Sequence, residues 1–130
     1  MTIAISVKVH DGLVLAADSA STITAPVGPA GEEGIVNVYN NANKVFNLKK
    51  GLPIGGMTWG SGSIGYASIS TLIKDLRQRF QNGDPEWKIE PNNYTIEDVA
   101  KKVRKFLFEE KYQPQYLSLI HISEPTRQAE

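Results

Sequence analysis

Between residues 3 and 17 the chain alternates and then turns. Ile3, Ile5, Val7 and Val9 are separated by Ala4, Ser6 and Lys8, and after Asp11-Gly12 comes the unbroken apolar run Leu13-Val14-Leu15-Ala16-Ala17. Alternation with period two is a strand pattern, because successive side chains point to opposite faces. Asp-Gly between two such runs predicts a tight hairpin, since both residues tolerate positive φ. No other stretch constrains the fold as strongly. It commits the chain to two antiparallel strands, the first half-buried and the second covered on both faces. The second strand ends at Asp18, and hairpin pairing returns Asp18 to the level of Thr2.

The remaining pattern is coarser. Residues 23–43 are rich in Gly, Pro, Ala and Asn and read as a long excursion with one short extended piece at 35–39. Loops of that length are often functional. Residues 43–48 read as a third strand, turned by Lys49-Lys50-Gly51, and 53–59 as a fourth, with Trp59 in the core in preference to the wall of a substrate pocket. Ile69, Leu72, Ile73, Leu76 and Phe80 recur at helical spacing until Asn82-Gly83-Asp84-Pro85 stops them. Thr95 followed by Asp98 opens a second helix to about Lys111, with Ile96, Val99, Val103, Phe106 and Leu107 inward. Lys101, Lys102, Arg104 and Lys105 form its solvated face, and His10 is solvated beside the first turn. Strands followed by helices place the chain in the α+β class.

Charge narrows the function. Lys+Arg and Asp+Glu both number 14, so there is no electrostatic footprint for nucleic acid or an anionic membrane. The absence of cysteine excludes a disulfide framework and thiolate metal sites and fits a cytoplasmic protein. There is no signal-peptide pattern and no apolar run long enough to span a bilayer. No cofactor is expected.

Three positions carry candidate chemistry. Thr2 follows Met1 directly, and trimming of the methionine would leave it with both a hydroxyl and a free α-amine. The amine, with a pKa near ~8, can take the hydroxyl proton at neutral pH. Asp18 is costly if buried alone and should seek a cation or backbone amides; otherwise it is a solvated strand end. Lys44, at the start of the third strand, is the natural partner, although Lys49 and Lys50 make it one lysine among several. An ammonium beside the Thr2 hydroxyl and amine would favour their deprotonated forms.

The cluster Gly60-Ser61-Gly62-Ser63-Ile64-Gly65 matches G-x-G-x-x-G. A dinucleotide site would need a parallel βαβ unit whose second strand ends in an acidic residue. Here the strands before the cluster are antiparallel and the first helix is followed by another helix. Two readings remain: a turn that lets helix and strand approach closely, or helix-start amides that stabilise an anion, including an acyl-transfer oxyanion.

Thr2 opening a strand, Asp11-Gly12, Val14-Leu15-Ala16-Ala17-Asp18, Lys44 before Val45-Phe46, and Met57-Thr58 leading to Gly62, Gly65 and Ala67 together resemble the N-terminal half of a proteasome β-type subunit. The start is also similar to the peptidase of the bacterial two-component ATP-dependent protease. The resemblance covers about 2–112. It implies a four-layer αββα sandwich of the N-terminal-nucleophile hydrolases, of which only the first strands and first two helices are present. It further implies Thr2 as nucleophile, its α-amine as base, Asp18 and Lys44 as the pair that tunes them, and the Gly62 N–H as oxyanion donor. The implied reaction is hydrolysis of peptide bonds in a peptide or protein substrate, in a homo-oligomeric ring served by an ATPase unfoldase. Ile3 replaces the family's second threonine, 23–43 is longer than usual, and the stretched interval from Lys44 to Gly62 leaves Gly60 as an alternative oxyanion donor. A non-catalytic ring subunit and an amidase of small molecules are the competing functions.

The last residues stand apart. From Leu117 the string Leu-Ser-Leu-Ile-His-Ile-Ser-Glu-Pro-Thr-Arg resembles an in-frame translation of a transposase adapter used for sequencing libraries, so 1–116 is expected to be the partial domain and 117–130 a non-native tail. Half a sandwich should leave one sheet face uncovered.

Overall fold

The computed structural model describes residues 1–26, 28–39 and 42–117; the adapter-like string beyond Leu117 lies outside them. Strands and helices coexist, so the chain is of mixed α+β class. It divides into two compact units, Met1–Asn47 with Gly55–Gly62, and Leu48–Ile54 with Ser63–Glu130.

The first unit is built of β-ribbons. β1 (Ala4–Val9) and β2 (Gly12–Ala17) pair antiparallel in the register Ala4↔Ala17 to Val9↔Gly12. The turn therefore lies at His10-Asp11, one residue earlier than expected, and Gly12 is already in the ladder. Among the described residues no non-glycine has positive φ, and Gly12 is not among the glycines that do. The turn thus forms without the left-handed conformation for which Asp-Gly was read. The register puts Ile5, Val7, Val9, Val14 and Ala16 on one face and Ala4, Ser6, Lys8, Leu13, Leu15 and Ala17 on the other.

Burial departs from expectation on both strands. All six residues of β1 are exposed, and in β2 Leu13 and Val14 are exposed while Leu15 is half-buried. Leu15 lies against β6, so close that a Cβ on Gly55 would sit 2.7 Å from its Cδ1. Among the described residues the opposite face has no such cover.

Within 23–43 the extended piece at 35–39 is present, but it is part of a longer strand and is paired with another that was not anticipated. Ser21–Pro26 forms β3 and Glu33–Tyr39 forms β4, paired antiparallel with a register shift between Ile23 and Thr24. The reason is in the sequence: Thr22, Ile23 and Thr24 are β-branched and favour extended backbone. The Gly and Pro residues between supply the connection. β5 (Val45–Asn47) and β6 (Gly55–Met57) form the third ribbon, both shorter than the expected strands. Among the residues whose burial is described, only Phe46 of this unit is a buried apolar residue. Trp59, expected in the core, is 70% exposed.

The second unit is helical and holds the rest of the core. β7 (Ser63–Ile64) and β8 (Ala67–Ser68) make a minimal ribbon that leads into α1 (Ile69–Asn82). Ser68 caps α1, its hydroxyl accepting from the Thr71 amide, and Gly83 ends it. Leu72, Ile73, Leu76 and Phe80 are buried at the anticipated spacing. α2 (Ile96–Arg104) is capped by Thr95, whose hydroxyl accepts from the Asp98 amide. Val99 and Phe106 are inward as expected, whereas Ile96 is exposed.

Beyond Arg104 the helix does not continue to Lys111 in α form. It widens into a π-helix from Lys105 to Leu117, passing through Pro114. A π turn bonds i to i+5, so the 3.6-residue phase read from sequence is lost there. Phe108, Tyr112 and Tyr116 stack in succession, with ring centroids 5.7 and 4.9 Å apart. The Arg79 guanidinium lies over both Trp87 and Phe106, 4.9 and 4.8 Å from their ring centroids, and pairs with Glu110 at 2.6 Å. Trp87 is 7% exposed.

Candidate active site at the start of the first strand

The β1–β2 ladder extends one pair past Ala4↔Ala17. The Asp18 amide donates to the Ile3 carbonyl at 3.0 Å, and the Ile3 amide donates to Asp18 Oδ1 at 2.9 Å. Asp18 is thus bound through both backbone and side chain to the residue that follows Thr2. Ile3 serves here through its backbone amide and carbonyl, so the side chain at that position is free to differ.

Lys44 comes from the segment just before β5. Its carbonyl accepts from the Thr58 amide at 3.0 Å, which ties its backbone to the end of β6. Its Nζ donates to Thr2 Oγ1 at 3.1 Å, to Asp18 Oδ1 at 3.1 Å and to the Ala20 carbonyl at 2.5 Å. An ammonium has three N–H groups, and all three are engaged. The Lys44 side chain is 10% exposed and that of Asp18 29%. The ion pair is therefore shielded on the lysine side and open to water on the aspartate side.

The Ile3 amide first, and then the Lys44 ammonium, stabilise the carboxylate and hold Asp18 below the ordinary carboxylate range. At neutral pH Asp18 is ionised and accepts two hydrogen bonds on one oxygen. Lys44 presents positive charge to the Thr2 hydroxyl oxygen and leaves the hydroxyl proton free to go elsewhere. That polarity suits a hydroxyl about to become a nucleophile. Met1 projects into solvent and is 99% exposed.

Thr2, Asp18 and Lys44 are brought together from sequence separations of 16 to 42 positions. Gly62 is the fourth candidate position. It lies on the exposed stretch between β6 and β7, where an added Cβ would meet nothing within 4 Å. Gly60 occupies the same stretch with φ 83°. The glycines do not start the helix, because β7, β8 and the Ser68 cap intervene. The Ala20 carbonyl, the Ile3 amide and the Thr58 amide complete the site; a backbone amide for Asp18 is expected in kind, but no sequence signal says which residues supply these groups. Backbone groups have no residue identity to betray them.

Among the described residues no group of three His, Asp or Glu side chains is arranged to hold a metal ion, and no helix is long and apolar enough to cross a membrane. The chain matches no family model, no curated protein and no solved structure.

Proposed function

We propose that this chain belongs to a threonine-type N-terminal-nucleophile hydrolase that cleaves peptide bonds through an acyl-enzyme on Thr2. The observation that carries this reading is Lys44 Nζ lying at 3.1 Å from both Thr2 Oγ1 and Asp18 Oδ1. With Met1 removed, the α-amine of Thr2 takes the hydroxyl proton as Oγ1 attacks the substrate carbonyl carbon. The amine then returns that proton to the leaving nitrogen as the C–N bond breaks, leaving an ester on Oγ1. Water, deprotonated by the same amine, hydrolyses the ester. Lys44 disfavours protonation of its neighbours, and Asp18 holds Lys44 in place. Gly62 is proposed as the oxyanion donor by resemblance alone.

In this reading the ribbons and two helices are the N-terminal half of an αββα sandwich, the parent protein forms a ring, and an ATPase delivers unfolded substrate. The assay therefore uses the intact parent reading frame. Mass spectrometry is expected to find Thr2 as the free terminus, and Thr2→Ala is expected to lower hydrolysis of a fluorogenic peptide panel on the order of a thousandfold or more. Unchanged peptidase activity in Thr2→Ala would defeat the proposal. A retained Met1 on an inactive but assembled ring would instead identify a non-catalytic subunit.

A further inference from the structure

Two ribbons end on the candidate site in the same way. The β1–β2 ladder runs one pair past Ala4↔Ala17, where the Asp18 amide donates to the Ile3 carbonyl. The β5–β6 ladder runs one pair past Val45↔Met57, where the Thr58 amide donates to the Lys44 carbonyl. Each ladder fixes the backbone of one charged member, Asp18 or Lys44, but neither fixes the distance between them. That distance depends on how closely the ribbons approach. They touch at Leu15 and Gly55, where an added Cβ on Gly55 would lie 2.7 Å from Leu15 Cδ1. Asp18 is three residues beyond Leu15 and Thr58 three beyond Gly55, so both strands lead from this contact to the site over roughly 10 Å. Gly55 is not among the glycines with positive φ; the position needs glycine for space and not for backbone conformation.

We propose that Leu15 and Gly55 are positioning residues for the Thr2–Asp18–Lys44 site, their contact setting the ribbon spacing at which Lys44 reaches both partners. The catalytic meaning of the site rests on the threonine-hydrolase reading; the spacing does not. Lys44 Nζ has little slack. Its bonds to Thr2, Asp18 and the Ala20 carbonyl are 3.1, 3.1 and 2.5 Å, and such a bond is lost when its atoms part by more than about half an ångström. A side chain at 55 must push β6 and Leu15 apart by about 1 Å to restore ordinary carbon–carbon contact. Truncation of Leu15 instead removes the surface against which β6 stops. Either change moves Lys44, because the Thr58 amide ties its backbone to the end of β6.

Carbon-13 NMR of the Asp18 carboxyl, titrated in the full chain, reads the pairing without any assay of hydrolysis. Lys44→Met sets the scale: it leaves the Ile3 amide on Asp18, so the pKa rises part of the way to the ordinary carboxylate value. Gly55→Val is expected to produce most of that rise, and Leu15→Ala a smaller one in the same direction. The double variant, which returns the lost volume from the facing strand, is expected to restore the native titration. Gly12→Val adds the same side chain to β2 where a Cβ meets nothing within 4 Å, and is expected to leave Asp18 unmoved. If Gly55→Val fails to fold, Leu15→Ala and the double variant still decide. An unmoved Asp18 in folded Gly55→Val or in Leu15→Ala, a double variant no nearer the native value than either single, or an equal rise in Gly12→Val would each overturn the proposal. An inactive parent whose Asp18 titrates as expected in this series would remove the peptidase reading and keep the positioning pair.

Discussion

Lys44 holds its place because its ammonium meets a hydroxyl, a carboxylate and a carbonyl at once, Thr2 supplying the first from the chain start and Asp18 and Ala20 the others from the end of β2. Asp18 is the member whose titration can be followed. Its pKa is depressed in the folded chain, so its stabilising contribution is present above its ordinary unfolded value near ~4 and is lost as pH falls through the lower folded value. Asp18→Asn is therefore expected to be less stable than the native chain at pH 7 and to converge with it in acid. Denaturant melts at pH 7 and pH 2.5 check this; equal stability at both would show that the carboxylate contributes nothing. Asp18 was legible as lying near the start of the first strand, but its level was not: a turn at Asp11-Gly12 would pair position 18 with position 5, and the observed turn at His10-Asp11 brings it to Ile3. Lys44 was legible as the cation nearest the next strand start. The Ala20 carbonyl that completes its coordination was not, since any residue could supply it.

At the scale of elements, patterning served where one force dominated and failed where two competed. The spacing of Leu72, Ile73, Leu76 and Phe80 identified α1 because burial of one stripe decides a helix. Of the β3–β4 ribbon, 35–39 was legible as extended and lies in β4, whereas β3 was hidden because Pro and Gly within residues 23–43 outweighed the β-branched run Thr22-Ile23-Thr24. Position 65 shows a glycine whose need came from outside its own segment. Gly65 takes φ 62°, its amide donates to the Tyr116 hydroxyl at 2.9 Å, and an added Cβ would lie 2.1 Å from the Gln115 side chain. Gly65→Ala is expected to cost about 1–2 kcal/mol, mainly from the left-handed backbone because Gln115 can swing aside. Thermal melts check the loss, and removal of the Gln115 side chain in the same background should return only a minor part of it.

For the molecule as a whole, the core is unequally shared. The helical unit buries Leu72, Ile73, Leu76, Phe80, Trp87, Ile89, Val99 and Phe106, whereas the ribbon unit buries Phe46 among the apolar residues described. Local stability follows buried contact. Hydrogen exchange is accordingly expected to be slowest in α1 and orders of magnitude faster in β1 and β2. Equal protection in both would mean that the ribbons are held by something other than their own burial. The alternation in residues 3–9 identified the strands but not their exposure, because alternation reports only that one face is apolar and not that anything covers it. The two tryptophans divide between the units in the same unequal way, Trp59 at 70% exposure among the ribbons and Trp87 at 7% beneath Arg79. Each unit thus has its own optical reporter: acrylamide quenches Trp59 and spares Trp87, so the emission of one chain, recorded with and without quencher, separates the melting of the two units without any label.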